Sequence, residues 1–68
     1  MNTNKKTFGE FLYSKMEEMG ISKKVISQKL NVTERVVNQW QCDRNRPLFT
    51  TLIELAKILK ISIDDMLF

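Results

Sequence analysis

The sequence predicts an all-α domain of five short helices. Apolar residues recur at intervals of three and four, and a capping or helix-ending residue falls at each break in this spacing. Alternation of apolar and polar residues is nowhere sustained, so no strand is predicted. The 68 residues, with two Gly and one Pro, are enough for one small domain and include no glycine-rich loop.

The first two helices are predicted on either side of Gly20. The segment TFGE at residues 7–10 has the spacing of a capping box, and Gly20 suits the end of a helix that runs from about Phe8 to Met19. Ser22 is a good N-cap for the second helix. The predicted buried positions of these two helices are Phe8, Leu12, Met16, Met19, Val25, Ile26 and Leu30.

Three further helices follow a tight turn at LNVT. Asn31 tolerates a left-handed backbone, and Thr33 is a good N-cap for a helix over residues 34–41. Pro47 ends the polar loop CDRNRP and suits the start of a fourth helix. The apolar face of that helix is Leu52, Ile53, Ala56 and Leu59. Ser62 and Asp65 form a capping pair for a short last helix.

The composition excludes several classes of protein. One Cys cannot form an internal disulfide, which fits a reducing, cytoplasmic compartment. No run of about 18 apolar residues is present, so no transmembrane helix is predicted. The absence of His, with a single Cys, argues against a zinc site or a catalytic constellation. We therefore expect a protein that is not an enzyme and that needs no metal or cofactor.

The positive charge is concentrated in the middle of the chain. The net charge is +3 overall, yet residues 21–50 carry +4 and the remainder carries −1. Such an asymmetry favours a polyanionic partner, although a solvated surface with an accidental bias would have the same composition. The basic side chains in this segment are Lys23, Lys24, Lys29, Arg35, Arg44 and Arg46.

The helix predicted over residues 34–41 has two different faces. At about 100° per residue, Val36, Val37 and Trp40 fall within one arc of roughly 100°. The opposite side carries Glu34, Arg35, Asn38, Gln39 and Cys42. Only about three residues join this helix to the one before it, so the two cross steeply. That is the geometry of a helix-turn-helix, whose second helix fits the DNA major groove.

The outward side chains of this helix match the edges of bases. Arg donates twice to guanine, Asn and Gln donate and accept at once to adenine, and Glu accepts from cytosine. A plain charged surface does not need this set. The alternative is that Glu34 and Arg35 only solubilise the first turn, where Glu also suits the helix dipole.

Two segments resemble a known family. ISKKVISQKLNVTERVVNQWQCDRNRP (21–47) and LIELAKILKISIDDML (52–67) are similar to the Cro/C1-type helix-turn-helix domains of bacterial and phage repressors, the XRE family. The resemblance extends from about Phe8 to Leu67 without gaps. It implies a compact five-helix lambda-repressor-like domain over residues 7–68, with residues 1–6 as a flexible arm. It also implies a sequence-specific DNA-binding transcriptional regulator, a repressor, that binds a pseudo-palindromic operator as a homodimer.

The resemblance also implies roles by position. The residues expected to meet bases are Glu34, Arg35, Asn38 and Gln39. Those expected to meet phosphates are Lys23, Thr33, Arg44 and Arg46. Those expected to lock the third helix onto the core are Val32, Val37 and Trp40.

The sequence departs from the family pattern at several positions. The family often has Arg where Met16 stands and Glu where Gln41 stands, and the loss of both leaves neither charge unpaired. Gly is common at the positions of Asn31 and Asp43. Because Asp adopts the left-handed backbone less easily than Asn, we expect the loop after the third helix to differ from the family.

The chain ends on three apolar residues, Met66, Leu67 and Phe68, and an exposed apolar end is a liability for a monomer. The sequence therefore predicts a homodimer, or else a further domain beyond Phe68. The expected dimer contacts are Ile61, Ile63, Leu67 and Phe68.

Other interpretations stay open at this point. The fold also serves protein-interaction modules such as antitoxins, and a nonspecific nucleoid binder would share the basic charge. The Asn and Gln side chains argue against the latter, because nonspecific binders rely mainly on Lys and Arg. Cys42 is an incidental thiol or a redox sensor. Lys5 and Lys6 form a basic arm toward DNA or a solvated terminus. A DNA-binding protein of this kind is expected in the cytoplasm, on the nucleoid.

Overall fold

A computed structural model describes residues 7–66 as five helices. They are α1 (Phe8–Met19), α2 (Lys23–Leu30), α3 (Glu34–Gln41), α4 (Phe49–Leu59) and α5 (Ile63–Met66). Within residues 7–66 there is no strand, so the predicted all-α fold class is confirmed. The predicted arm at residues 1–6, with Lys5 and Lys6, lies outside the described residues, as do Leu67 and Phe68.

Local hydrogen bonds set the start of the first three helices. Thr7 and Glu10 form the predicted capping box, with both backbone-to-side-chain distances at 3.1 Å. The hydroxyls of Ser22 and Thr33 each accept a backbone N–H three residues on, at 3.2 Å. Leu48 precedes α4 without a side-chain cap, and Pro47 lies one residue earlier. Each of the three caps satisfies one of the backbone donors that a helix start leaves without an intrahelical partner.

Left-handed residues end the helices and redirect the chain. Gly20, Asn31 and Lys60 have φ values of 67°, 57° and 58° at the ends of α1, α2 and α4. The Asn31 conformation is the one predicted from its side chain. At Gly20 the turn also brings the Ile21 N–H to the Met16 carbonyl at 2.9 Å, and Ile21 packs against the core.

The core lies where α3 and α4 meet the other helices. α3 packs against α1 and α2, while α4 packs against α1, α2 and α5. The buried apolar residues are Phe8, Leu12, Met16, Ile26, Val37, Trp40, Leu52, Leu55, Ala56, Leu59 and Met66. None of the helices in the described part of the chain is long and apolar enough to cross a membrane.

Three expectations about burial are wrong. Met19 and Val25 are each 37% exposed. Met19 lies at the end of α1, where the Gly20 turn places Ile21 on the core instead. Val25 lies beside the buried arc of α2, which is centred on Ile26 and on residues 27 and 30. Met66, expected in an exposed apolar end, is fully buried because α5 folds back onto α4.

Gly9 allows α1 to approach the end of α3 closely. A Cβ atom at this position would lie 2.3 Å from the Gln41 carbonyl oxygen and 2.8 Å from an Asp43 carboxylate oxygen. Both distances are shorter than van der Waals contact permits, so only glycine fits here without a shift of the backbone. This contact fixes one end of α3 relative to the rest of the domain.

Candidate nucleic-acid interface

The turn between α2 and α3 is tied to α2 by backbone hydrogen bonds. The Asn31 N–H donates to the carbonyls of Gln28 and Ser27, and the Val32 N–H donates to the Ser27 carbonyl at 2.9 Å. Thr33 then caps α3. A three-residue turn, residues 31–33, therefore connects two eight-residue helices, which is the predicted helix-turn-helix.

The inner face of α3 is locked onto the core. Val37 is fully buried and Trp40 is 3% exposed, while Val32 and Val36 are partly buried against the core cluster. Trp40 is therefore a core residue and is not available to stack on a base. With this face fixed, the rotation of α3 about its axis is determined, and so is the set of side chains that it presents outward.

The outer face of α3 carries the side chains predicted to read bases. Glu34, Arg35 and Asn38 are exposed, and the thiol of Cys42 is exposed at the end of the helix. Gln39 is only half-buried, at the border of this face, and its carbonyl accepts the Arg44 N–H at 2.9 Å. The structure thus presents donors and acceptors of both kinds on one exposed helix surface.

Two of the residues expected to meet phosphates adjoin this surface. The Lys23 ammonium donates to the Asn38 carboxamide oxygen at 3.1 Å, which joins the start of α2 to the middle of α3. The Thr33 hydroxyl accepts the Val36 N–H, and its own O–H proton stays able to donate outward.

The loop between α3 and α4 is held by Asp43. Its backbone is left-handed, with φ at 59°, so Asp43 adopts the conformation that Asp was expected to adopt less easily. Asp43 Oδ1 accepts the Gly9 N–H at 2.9 Å, which compensates the backbone penalty. Hydrogen bonds from the Thr7 hydroxyl and the Gly9 N–H hold the pKa of the Asp43 carboxyl below its usual value, and the charge of Arg46 acts in the same direction.

The two arginines of this loop have different surroundings. Both Arg44 and Arg46 are exposed. The Arg46 guanidinium lies over the Phe8 ring, 4.8 Å from its centroid, in a cation–π contact at the start of α1. The structure therefore brings Arg46 to the junction of α1 and the loop.

Met16 and Gln41 contact each other, as their positions in the family pattern imply. The Gln41 amide Nε2 donates to the Met16 sulfur at 3.2 Å, between α1 and α3. A neutral, partly buried contact thus occupies the place where the family often has an ion pair. Because both partners differ from the pattern, no charge is left without compensation.

Two of the expected dimer residues lie in the described part of the chain, Ile61 just before α5 and Ile63 at its start. Ile61 and Ile63 are half-buried and pack against the core cluster. The sequence did not single out two exposed apolar side chains at the start of α4, Leu48 at 75% and Phe49 at 59% exposure. Leu48 stands four residues before buried Leu52, so helical periodicity alone would have assigned it to the core.

Comparisons with known proteins establish the family. A helix-turn-helix family model, HTH_3, matches residues 12–66, and the chain therefore belongs to this family, whose Cro/C1-type members are DNA-binding transcription regulators. The resemblance found in the sequence is confirmed. A search of curated protein sequences finds no significant match.

Solved structures share the fold. The P22 c2 repressor, in complex with a synthetic operator, superposes with a TM-score of 0.85 at 22% identity, covering 93% of this chain and 96% of that one. The solution structure of the c2 DNA-binding domain also gives 0.85 at 22% identity, covering 94% and 84%. SinR, a master regulator for biofilm formation in complex with DNA, gives 0.80 at 17% identity, covering 91% and 100%.

Proposed function

We propose that this protein is a sequence-specific transcription regulator, a repressor, that inserts α3 into the DNA major groove. The observation that carries the proposal is the division of α3 into two faces. Val37 and Trp40 are buried, while Glu34, Arg35 and Asn38 are exposed on a helix whose rotation is fixed. Side chains held in this way can distinguish bases, because hydrogen-bond readout needs a defined register.

The phosphate contacts proposed around α3 set that register. They are Lys23, Thr33, Arg44 and Arg46. The repressors of similar fold are described with an operator and with DNA, which supports the same mode of binding here. Repression then follows from occupying a promoter on the nucleoid, and it needs no chemistry from the protein.

A selection of random duplex DNA on the purified protein tests the proposal. At about 150 mM salt, nonspecific binding through charge is suppressed. We expect enrichment of a two-fold symmetric motif whose half-sites lie about one helical turn, or 34 Å, apart. Failure of the folded protein to enrich any sequence would reject base reading and favour a protein-interaction module.

Arg35 provides a sharper test, because it is the only basic residue within α3. Arg35→Ala is expected to cost about 1–3 kcal/mol of binding free energy and to relax the preference at one base pair. Lys57→Ala, which removes one exposed positive charge from α4, is the matched control. Equal weakening by Arg35→Ala on all sequences would show that Arg35 meets phosphate instead.

We propose that the protein binds its operator as a homodimer, since a two-fold operator requires two recognition helices. The proposed contacts are Ile61, Ile63, Leu67 and Phe68. The exposed pair Leu48 and Phe49 is a second apolar surface that a partner copy could cover. Sedimentation with and without operator distinguishes these two surfaces. Loss of the dimer in Leu67→Ser/Phe68→Ser supports the C-terminal contact. Loss of the dimer in Leu48→Ser/Phe49→Ser supports a contact at the start of α4.

A further inference from the structure

A side-chain hydrogen bond joins the two helices of the helix-turn-helix. Lys23 is the first residue of α2, Asn38 is the fifth residue of α3, and the lysine Nζ donates to the carboxamide Oδ1 at 3.1 Å. An ammonium group can only donate, so the atom of the Asn38 amide that faces it must be the oxygen. The contact therefore fixes the orientation of the amide, with the oxygen toward Lys23 and the NH2 group away from it.

Lys23 is placed to keep this contact. Its side chain is half-buried and lines a shallow depression of about 230 Å³ between α1, α2 and the end of α3. Glu17 lines the same depression but forms no ion pair with Lys23. The two ion pairs in the described part of the chain each lie within one helix, Lys15 with Glu18 and Glu54 with Lys57. The aliphatic stem of Lys23 thus lies along the protein while its charged end reaches the amide.

We propose that Lys23, in place of the phosphate contact assigned to it above, is a positioning residue that determines base specificity through Asn38. The inference rests on the proposed function, in which α3 reads bases. An Asn side chain whose amide has no other partner pairs with adenine, because its oxygen accepts from N6 while its NH2 group donates to N7. With the oxygen engaged by Lys23, the outward group of Asn38 is the NH2 donor, and a positive charge stands beside it.

An NH2 donor held in this way, beside a positive charge, matches guanine rather than adenine. Guanine presents two acceptors, N7 and O6, in the major groove, whereas adenine presents an acceptor and the N6 donor. The N6 donor would meet an ammonium group that cannot accept a hydrogen bond. Held by Lys23, the Asn38 NH2 group therefore donates to a guanine acceptor, and the simple assignment of Asn38 to adenine is replaced by guanine.

The experiment compares base preference in five proteins: the wild type, Lys23→Met, Lys23→Arg, Asn38→Ala and the double variant Lys23→Met/Asn38→Ala. Each is first taken through the duplex selection, and the position that loses its preference in Asn38→Ala is the one that Asn38 reads. Fluorescence anisotropy then gives the Kd of duplexes with guanine or adenine at that position. Both residues lie at the surface, and the far-UV circular dichroism of each variant verifies its fold.

We expect the wild type and Lys23→Arg to prefer guanine by roughly 5- to 150-fold, the range that one mismatched base pair typically costs. Lys23→Met keeps a similar stem but cannot donate, so its preference should move to adenine. In the Asn38→Ala background, Lys23→Met should no longer change the preference. The shift from guanine to adenine in Lys23→Met separates positioning from a phosphate contact, which would weaken binding to all sequences and lower the salt dependence. The double variant separates positioning through Asn38 from a direct contact of Lys23 with the base.

Each contrary outcome has a distinct meaning. A wild type that enriches a motif but prefers adenine at the Asn38 position would overturn the positioning role and leave the proposed function intact. The same holds if Lys23→Met weakens every duplex equally. A folded wild type that enriches no motif would overturn the proposed function and this inference together.

Discussion

Replacing Gly9 with Ala tests how α1 and α3 are held together. The new Cβ would lie 2.3 Å from the Gln41 carbonyl oxygen, about 1.1 Å short of ordinary van der Waals contact at 3.4 Å. The obstructing atom belongs to the backbone, so no side-chain rotation relieves the contact. The two helices must separate, or the loop after α3 must move.

The expected magnitude follows from two opposing effects. Alanine in a helix is favoured over glycine by about 0.5–1 kcal/mol, because an alanine residue loses less conformational entropy on folding than a glycine residue does. Overpacking of a close contact costs about 1–3 kcal/mol, and a rigid backbone neighbour favours the upper part of that range. Gly9→Ala should therefore lower the free energy of unfolding by about 1–2 kcal/mol, which corresponds to a fall in Tm of about 5–15 °C.

Urea unfolding measures this loss with two probes. Far-UV circular dichroism follows the helices, and the fluorescence of Trp40, the single tryptophan, follows the core next to α3. Glu17→Ala on the exposed side of α1 is the matched control and should change stability by less than about 0.5 kcal/mol.

Amide NMR spectra identify the cause of the loss. In Gly9→Ala the shifts should change at residues 41–43, where the contact lies. Gly20→Ala is a useful comparison, because its Cβ would meet no atom within 4 Å and its strain arises only from a φ of +67°. It should destabilise the protein without affecting residues 41–43. A Gly9→Ala variant as stable as the wild type, with these shifts unchanged, would refute the reasoning.

Two further predictions concern contacts with α1. Since the pKa of Asp43 is lowered in the folded protein, its stabilising contribution is full above the ordinary Asp pKa of 3.8 and is lost as the pH falls through the folded pKa. Asp43→Asn should flatten the fall in stability below about pH 4 in urea titrations, and an unchanged profile would contradict this. Gln41→Glu should destabilise the protein by about 1–3 kcal/mol, because it puts a partly buried carboxylate beside the Met16 sulfur. Adding Met16→Arg should restore most of that loss in thermal melts, and a double variant less stable than Gln41→Glu alone would argue against the pairing.

The helix boundaries and the family could be predicted from the sequence, because the signals are local. Thr7, Ser22 and Thr33 each accept a backbone N–H three residues further on, and that geometry needs no distant partner. Asn31 and Gly20 turn the chain through their own backbone preferences. The division of α3 into two faces likewise follows from its helical period alone.

Tertiary structure alone decided the contacts between elements. Asp43 is held by Gly9 across 34 residues, and Lys23 reaches Asn38 across 15. No periodicity encodes such pairs, because they depend on how closely and at what angle two helices cross. Helix packing also leaves Val25 exposed, although its spacing predicted burial, and it buries Met66, which was expected in an exposed apolar end. The residues of the proposed recognition face were thus evident from the sequence, whereas the orientation of the Asn38 amide was determined only once α2 had packed against α3.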